Sequence, residues 1–334
     1  MPKILVTGGA GYIGSNTTQL LRRRGFEVVV LDDLSRGHVH NVADVPFHVI
    51  TLSDTAALTS LLKSGNFDAV IHFAAYISVG ESTQKPELYF ANNVGGTISL
   101  LTAMMEARVT KLVFSSTAAV YGMPEIVPIP ETSKIAPLSP YGESKVMVET
   151  ILRWMDQFRE LRSVVLRYFN ACGADPESPL GEEHDPETHL IPLLFRAIET
   201  GKAITLFGND YNTPDGTCIR DYIHVVDLAE AHIAAVQSLL DGGGSNAFNV
   251  GTGAGHSVLE VVQAVERVTG RKVPFQFGPR REGDPATLVA NSSKLQGALH
   301  WQPRFTELDR IVETAWDFAQ RQAAHRAGIP EKIS

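Results

Sequence analysis

The stretch Lys3-Ile4-Leu5-Val6-Thr7-Gly8-Gly9-Ala10-Gly11-Tyr12-Ile13-Gly14 decides the fold. An aliphatic, β-branched run feeds a glycine-rich turn, and an amphipathic segment follows. That order reads as a buried parallel strand, a tight turn and a helix. A dinucleotide pyrophosphate asks for such a turn. Gly8, Gly11 and Gly14 fit its three duties: a tight bend, a backbone that approaches the anion closely, and a helix start turned to it. The helix start at Tyr12 and Ile13 then offers free N–H groups and the positive end of the helix dipole. The second strand, 27–31, delivers Asp32 and Asp33, the first of them 24 residues beyond Gly8, as acceptors for an adenosine ribose. An acid there favours NAD over a 2′-phosphorylated cofactor. Arg36 is the one neighbour that argues for a phosphate.

Outward from this turn, apolar runs at 47–52, 69–73, 111–115 and 163–167 read as strands, with helical stretches at 58–62, 86–107 and 141–159 between them. Ser139-Pro140 is a start signal for the last helix. The alternation predicts an α/β fold, a doubly wound parallel sheet of Rossmann type, with right-handed crossovers. After about residue 170 the text turns to Gly, Pro, Asp and Glu, and 174–185 and 208–216 read as loops. The expected organisation is a nucleotide-binding domain over 1–170 and a smaller C-terminal α/β substrate lobe over 171–325. The amphipathic stretch 225–240 is expected to pack back on the first domain, and 323–334, with few apolar anchors, to fray.

Composition narrows the class. The chain has 334 residues, 44% hydrophobic and 20% charged, a net charge of −8 and a pI near 5.8. These are the proportions of an ordinary globular protein, and the acidic balance speaks against a nucleic-acid partner. Cys172 and Cys218 stand in no paired spacing, so both are expected free, in a reducing compartment. With the first strand starting at Lys3 and no apolar run of membrane-spanning length, a cytoplasmic location and no membrane partner are expected. His38-x-His40 and His184-x4-His189 lack companion Cys, His and carboxylate spacings, so no metal is expected.

Chemistry enters at Tyr141-Gly142-Glu143-Ser144-Lys145. Residues four apart share a helix face, so the Lys145 ammonium can sit near the Tyr141 phenol and the cofactor ribose. A cation there, like an oxidised nicotinamide ring, favours phenolate and lowers a pKa that starts near ~10. Tyr141 becomes a base at neutral pH. Strand 111–115 runs into Ser116 and Thr117, which puts a hydroxyl at the carboxyl edge where open α/β sheets bind ligands.

These three features resemble the extended short-chain dehydrogenase/reductase superfamily: the Gly-Gly-x-Gly-x-x-Gly turn, the hydroxyl residue, and Tyr-x-x-x-Lys. Further blocks are similar, in order, to the UDP-glucose 4-epimerase family. They include Ile71-His72-Phe73-Ala74-Ala75, Val79-Gly80-Glu81-Ser82, Asn92-Asn93-Val94, Arg167-Tyr168-Phe169-Asn170, Phe207-Gly208-Asn209-Asp210-Tyr211, Arg220-Asp221-Tyr222-Ile223-His224 and Arg280-Arg281-Glu282-Gly283-Asp284. The resemblance implies an NAD that stays bound, a UDP-hexose substrate, and a homodimer paired through two helices of each subunit. Tyr141 would take the proton from the hexose 4-hydroxyl as carbon 4 loses hydride, with Thr117 sharing the hydrogen bond. The 4-keto sugar would turn over and be reduced on its other face.

The same resemblance implies the remaining site residues. Phe73, Ala74, Asn93 and Tyr168 would border the cofactor. Arg220 and Arg281 would hold the diphosphate, and Asp284 a ribose. Asn170 and the Phe207 segment would hold the phosphates and uracil, His189, Leu190 and Tyr222 would be further substrate contacts, and Leu288 would line the hexose pocket. The chain departs from the family pattern at Thr51-Leu52-Ser53-Asp54, where an acid that contacts adenine is usual, at Ile77 and at His189. A 4,6-dehydratase is disfavoured because Ala118 and Ala119 follow Thr117 where that relative has Asp-Glu. Two alternatives stay open: a 4-epimerase for UDP-N-acetylglucosamine, UDP-glucuronate or a UDP-pentose, and a non-catalytic NAD-sensing module.

Overall fold

The computed structural model describes residues 1–281 and 283–326; Glu282 and 327–334 lie outside the described residues. Six strands of the first half are β1 (Lys3–Thr7), β2 (Glu27–Asp32), β3 (Phe47–Val49), β4 (Ala69–His72), β5 (Lys111–Thr117) and β6 (Arg162–Tyr168). With the strand Asn246–Val250 they form one seven-stranded parallel sheet. Its order is Asn246–Val250, β6, β5, β4, β1, β2, β3. Strand order reverses between β1 and β4, and the crevice at their carboxyl ends is where such a sheet takes a ligand.

Burial explains the sheet. Ile4, Leu5, Val6, Val70, Ile71, Leu112 and Val113 are all inaccessible to solvent, as strands covered on both faces require. One face is closed by helices Thr55–Gly65, Gly96–Ala107 and Pro140–Arg159. The other is closed by α1 (Tyr12–Arg23) and by helix Val225–Leu240, whose Val225, Leu228, Val236 and Leu239 join Ile4, Val6 and Leu166 in one core. Residues 225–250 thus return to the first sheet, as a covering helix and as its edge strand.

Three elements differ from the sequence reading. β3 stops at Val49 rather than 52, because β2, its one neighbour among the described residues, ends at Asp32, to which Val49 is paired. The stretch 86–107 is three pieces: helix Pro86–Tyr89, a π-helical segment Phe90–Gly95 and helix Gly96–Ala107. Wider π turns do not alter the apolar pattern, and they recur at functional sites. Helix Leu308–Arg326 runs through residues 323–326, which were expected to fray; the rest of that stretch is outside the described residues.

Beyond 170, strands Asn170–Cys172, Ile219–His224, Gly255–Ser257 and Thr287–Leu288 form a small mixed sheet. Ile204–Phe207 pairs in parallel with Phe275–Gly278. Helices Leu190–Thr200, Val258–Thr269 and Leu308–Arg326 share a separate core around Leu194, Val261, Val265 and Val312.

Candidate active site

The glycine turn is built as a cradle. Gly8 has φ of +73°, and a Cβ on it would lie 2.4 Å from the Ala74 nitrogen, so the turn packs against the residues after β4. A Cβ on Gly14 would come within 2.2 Å of the Gly8 carbonyl oxygen. A Cβ on Gly11 would meet nothing closer than 3.5 Å, so here glycine keeps space for a ligand rather than for the protein. Gly11 also caps α1 without a side-chain hydrogen bond, leaving the first N–H groups to an anion. These features fit a dinucleotide.

Asp32 is buried, and its two oxygens accept from the backbone of Ala10 at 3.0 Å and Leu34 at 2.9 Å. Burial raises its pKa and these hydrogen bonds oppose the rise. Asp33 is exposed and accepts from Ser35 N. Arg36, the residue that argued for a phosphate, is engaged elsewhere: it grips both oxygens of Glu81 at 3.0 and 3.2 Å and lies over the Tyr76 ring. Asp54, in the departing segment, accepts from Ala57 N and caps helix Thr55–Gly65.

Thr117 ends β5, and its hydroxyl accepts from Ala119 N at 3.1 Å. Ser139 caps the facing helix by accepting from Gly142 N, with Pro140 in its first turn, which starts the helix so that Tyr141 is buried beside Thr117. Burial pushes the Tyr141 phenol up, the nearby Tyr168 adds to the rise, and the Thr117 hydrogen bond works against it. Lys145 is also buried; its ammonium donates to the Ser115 carbonyl at 2.9 Å and sits over the Phe114 ring. Desolvation brings its pKa down to about 7, with Glu149 opposing. The expectation that Lys145 lowers the Tyr141 pKa needs correction for the protein alone: burial governs both groups, and the ammonium is committed to β5.

The cofactor residues expected from resemblance fall around this crevice, with varied engagements. Ala74 abuts Gly8, and the Phe73 ring lies 4.6 Å from that of His232. Tyr168 accepts from Ser115 Oγ at 3.1 Å. Tyr12 donates its hydroxyl to the Gly173 carbonyl at 2.6 Å, tying α1 to the second half of the chain. Asn93 is saturated by protein: its amide NH2 donates to Tyr76 O and Ser144 Oγ, and its oxygen accepts from Tyr76 N and Asn92 Nδ2. It braces the Tyr141 helix against the segment after β4.

The sequence reading passed over a buried network one turn beyond Lys145. Glu149 accepts from Ser116 Oγ at 2.6 Å and pairs with Arg167, whose Nη2 is 2.5 Å from Oε2. Arg167 also donates to Tyr121 Oη at 3.0 Å, and Tyr121 donates to Asn249 at 2.7 Å. The signal was present, since Tyr141, Lys145 and Glu149 recur every four residues on one helix face. What it could not reveal was the partner on β6.

In the second lobe the predicted substrate residues meet one another. Arg220, largely buried, donates to Ile219 O at 2.7 Å and forms an ion pair with Asp284. The Arg281 guanidinium lies 4.2 Å over the half-exposed Phe207 ring. Tyr222 is buried, Asn170 is exposed, and Leu190 packs on the lobe's core. His189 caps helix Leu190–Thr200 and its ring is turned to Glu182. Leu288 is half-buried against the cluster of Ala118, Val120 and Phe169, directly after Thr117.

A nucleotide cradle beside a buried Tyr-x-x-x-Lys pair and a strand-end hydroxyl defines an NAD-dependent enzyme of the short-chain type. The model of the NAD dependent epimerase/dehydratase family matches residues 4–251. A UDP-glucose 4-epimerase of Halalkalibacterium halodurans is 48% identical over 316 residues, 94% of this chain and 95% of that protein. The crystal structure of UDP-glucose 4-epimerase from Brucella ovis in complex with NAD superimposes with a TM-score of 0.92 at 46% identity, covering 94% of this chain and 97% of that one. That from Bifidobacterium longum in complex with NAD+ and UDP gives 0.92 at 36% identity, covering 96% and 99%. The chain belongs to the NAD dependent epimerase/dehydratase family and, within it, to the UDP-glucose 4-epimerases.

Proposed function

We propose that this chain interconverts UDP-glucose and UDP-galactose, with NAD held throughout the cycle. Bound NAD supplies a reversible hydride acceptor at carbon 4 and a positively charged ring that draws the Tyr141 pKa down. Tyr141 takes the proton of the hexose 4-hydroxyl and returns it after the 4-keto sugar has turned over. Thr117 shares that hydrogen bond, and Lys145 orients the helix face while holding to β5. The observation that carries this reading is the meeting of Thr117, Tyr141 and Lys145 at the carboxyl edge of β5, beside a glycine cradle with room for a pyrophosphate.

On the substrate side, Arg220 and Arg281 take the diphosphate and Asp284 a ribose, so substrate entry exchanges the Arg220–Asp284 pair for ligand contacts. Asn170 and the Phe207 segment hold the phosphates and uracil, and His189, Leu190 and Tyr222 are further substrate contacts. Leu288 borders the hexose; it is smaller than tyrosine, which favours UDP-galactose with some turnover of UDP-N-acetylgalactosamine. Two lobes, about 1–170 with the returning segment 225–250 and the remainder to 325, close on the substrate. A homodimer is favoured by the outer faces of helices Gly96–Ala107 and Pro140–Arg159, where Ile98, Met147, Trp154 and Phe158 are 40 to 66% exposed. Both cysteines are free and buried, and among the described residues no helix is long and apolar enough to cross a membrane; a cytoplasmic site is consistent with these.

Incubating the purified chain with UDP-galactose tests the reading. UDP-glucose should form without added NAD, and denaturation should release NAD. Release of mainly NADP, or a need for fresh cofactor each cycle, would overturn it. Tight NAD binding without turnover would leave the sensing module.

A further inference from the structure

Residues 182–189 carry a second constellation, which shares His189 with the substrate side. Glu182, His184, Glu187 and His189 bring one ligand atom each to within 4.8 Å of one another, and all four residues are half-buried. Both imidazoles turn Nδ1 inward. His184 Nδ1 lies 3.2 Å from Glu182 Oε1 and 3.7 Å from Glu187 Oε2. His189 Nδ1 lies 3.8 Å from Glu187 Oε1 and in closer contact with Glu182 Oε1. These separations sit around the ~3.3 Å edge of a tetrahedron whose ligands stand at zinc distances.

An ion-pair network would aim each ring N–H at an oxygen. Here the His184 Nδ1 atom is shut off from solvent, yet it has no partner in hydrogen-bond geometry despite two carboxylates within reach. His189 Nδ1 keeps such a contact with Glu182 Oε1, whereas His184 Nδ1 does not, and the four ligand atoms all stand within 4.8 Å of one another. Charge fits as well: two neutral imidazoles and two carboxylates sum to −2, which one divalent cation neutralises, releasing the two protons that would otherwise occupy the rings. Two nitrogens and two oxygens, all from protein, suit a closed zinc site; magnesium and calcium ask for six or more oxygens.

We propose that Glu182, His184, Glu187 and His189 form a structural zinc site. Its place gives it a task. The His184 ring stands edge-on to Tyr12, 6.1 Å away between centroids, in the first turn of α1. Between the ligands, Glu183 meets His38 through its carbonyl at 3.1 Å and His40 through its carboxylate at 2.8 Å. The metal would therefore fasten the loop that starts helix Leu190–Thr200 against the nucleotide turn, stiffening the approach to the substrate lobe. From the sequence, His184 and His189 lack companion Cys, His and carboxylate spacings, which leaves a metal unexpected there. The fold supplies the carboxylates: Glu182 and Glu187 of the run Glu-x-His-x-x-Glu-x-His are brought to the two rings.

The holoenzyme, expressed with zinc in the medium and purified without chelator, should carry about one zinc per chain by elemental analysis. After chelator treatment, ZnCl2 should restore the stoichiometry and raise the melting temperature, saturating near one equivalent. Glu182→Gln and His184→Gln should each bind zinc at least about tenfold more weakly, with bound NAD retained. A wild-type chain that holds under about a tenth of an equivalent and shows no melting response to ZnCl2 would overturn the proposal, as would variants that bind zinc like the parent. Stoichiometric binding of manganese or iron in its place would overturn the assignment to zinc. Should either variant fail to fold, the wild-type titration decides alone.

Discussion

The two ligand-facing regions hold their polar groups in opposite ways. Around the glycine turn and the Tyr141 helix, each group is bound to protein in a fixed geometry: Asp32 to two backbone amides, Lys145 to the Ser115 carbonyl, Asn93 through four hydrogen bonds, Glu149 to Arg167. In the second lobe the charged groups pair chiefly with one another, as the largely buried Arg220 does with Asp284 and the more exposed Arg280 with Asp210, while Arg281 covers the Phe207 ring. The first arrangement suits a cofactor that binds once, because its donors are already desolvated and oriented. The second suits a substrate that must come and go, since a guanidinium paired with a carboxylate can exchange that partner for the oxygens of a phosphate.

The strongest test of this contrast lies where the two regions meet. Tyr141→Phe should lose at least about a hundredfold in kcat while NAD and UDP-sugar binding persist, the scale of a general acid-base group. Steady-state rates set beside cofactor content and UDP binding check it; unchanged turnover would remove Tyr141 from the chemistry. Next in size, Arg220→Met should raise KM for UDP-galactose about ten- to a hundredfold, the loss of charge-assisted hydrogen bonds, without altering the NAD content. A matching loss of NAD would mean that the regions do not act separately.

Gly11→Ala sharpens the cofactor side. The added methyl meets no protein atom closer than 3.5 Å, so the melting temperature of the cofactor-free chain should stay within a few degrees of the parent's. NAD content should nevertheless fall about tenfold, because the methyl intrudes where the pyrophosphate approaches. Gly14→Ala, whose methyl would collide with the Gly8 carbonyl at 2.2 Å, should instead lower both. The smallest effect is expected at Leu288→Tyr. It should reduce kcat/KM for UDP-N-acetylgalactosamine relative to UDP-galactose by about tenfold, near the size of one or two methylenes of fit. An unchanged ratio, measured with both sugars on parent and variant, would take position 288 out of the hexose pocket.

Much was legible in the chain because its signals are local. A buried parallel strand must be apolar throughout, a tight turn beneath an anion must be glycine, and a helix face must repeat every three or four residues; β1, the turn at Gly8 to Gly14 and the Tyr141 helix obey these rules within a dozen or so neighbours. What sequence alone could not supply were partners far along the chain. That Arg36 is held by Glu81, that Asn93 braces the Tyr141 helix, that Arg167 meets Glu149, that Tyr121 meets Asn249, and that 225–250 returns to the first sheet are pairings between segments 18 to 128 residues apart. No periodicity encodes them. They are chosen when burial closes the core, because a polar group cut off from water must then take whichever donor or acceptor the packing brings near it.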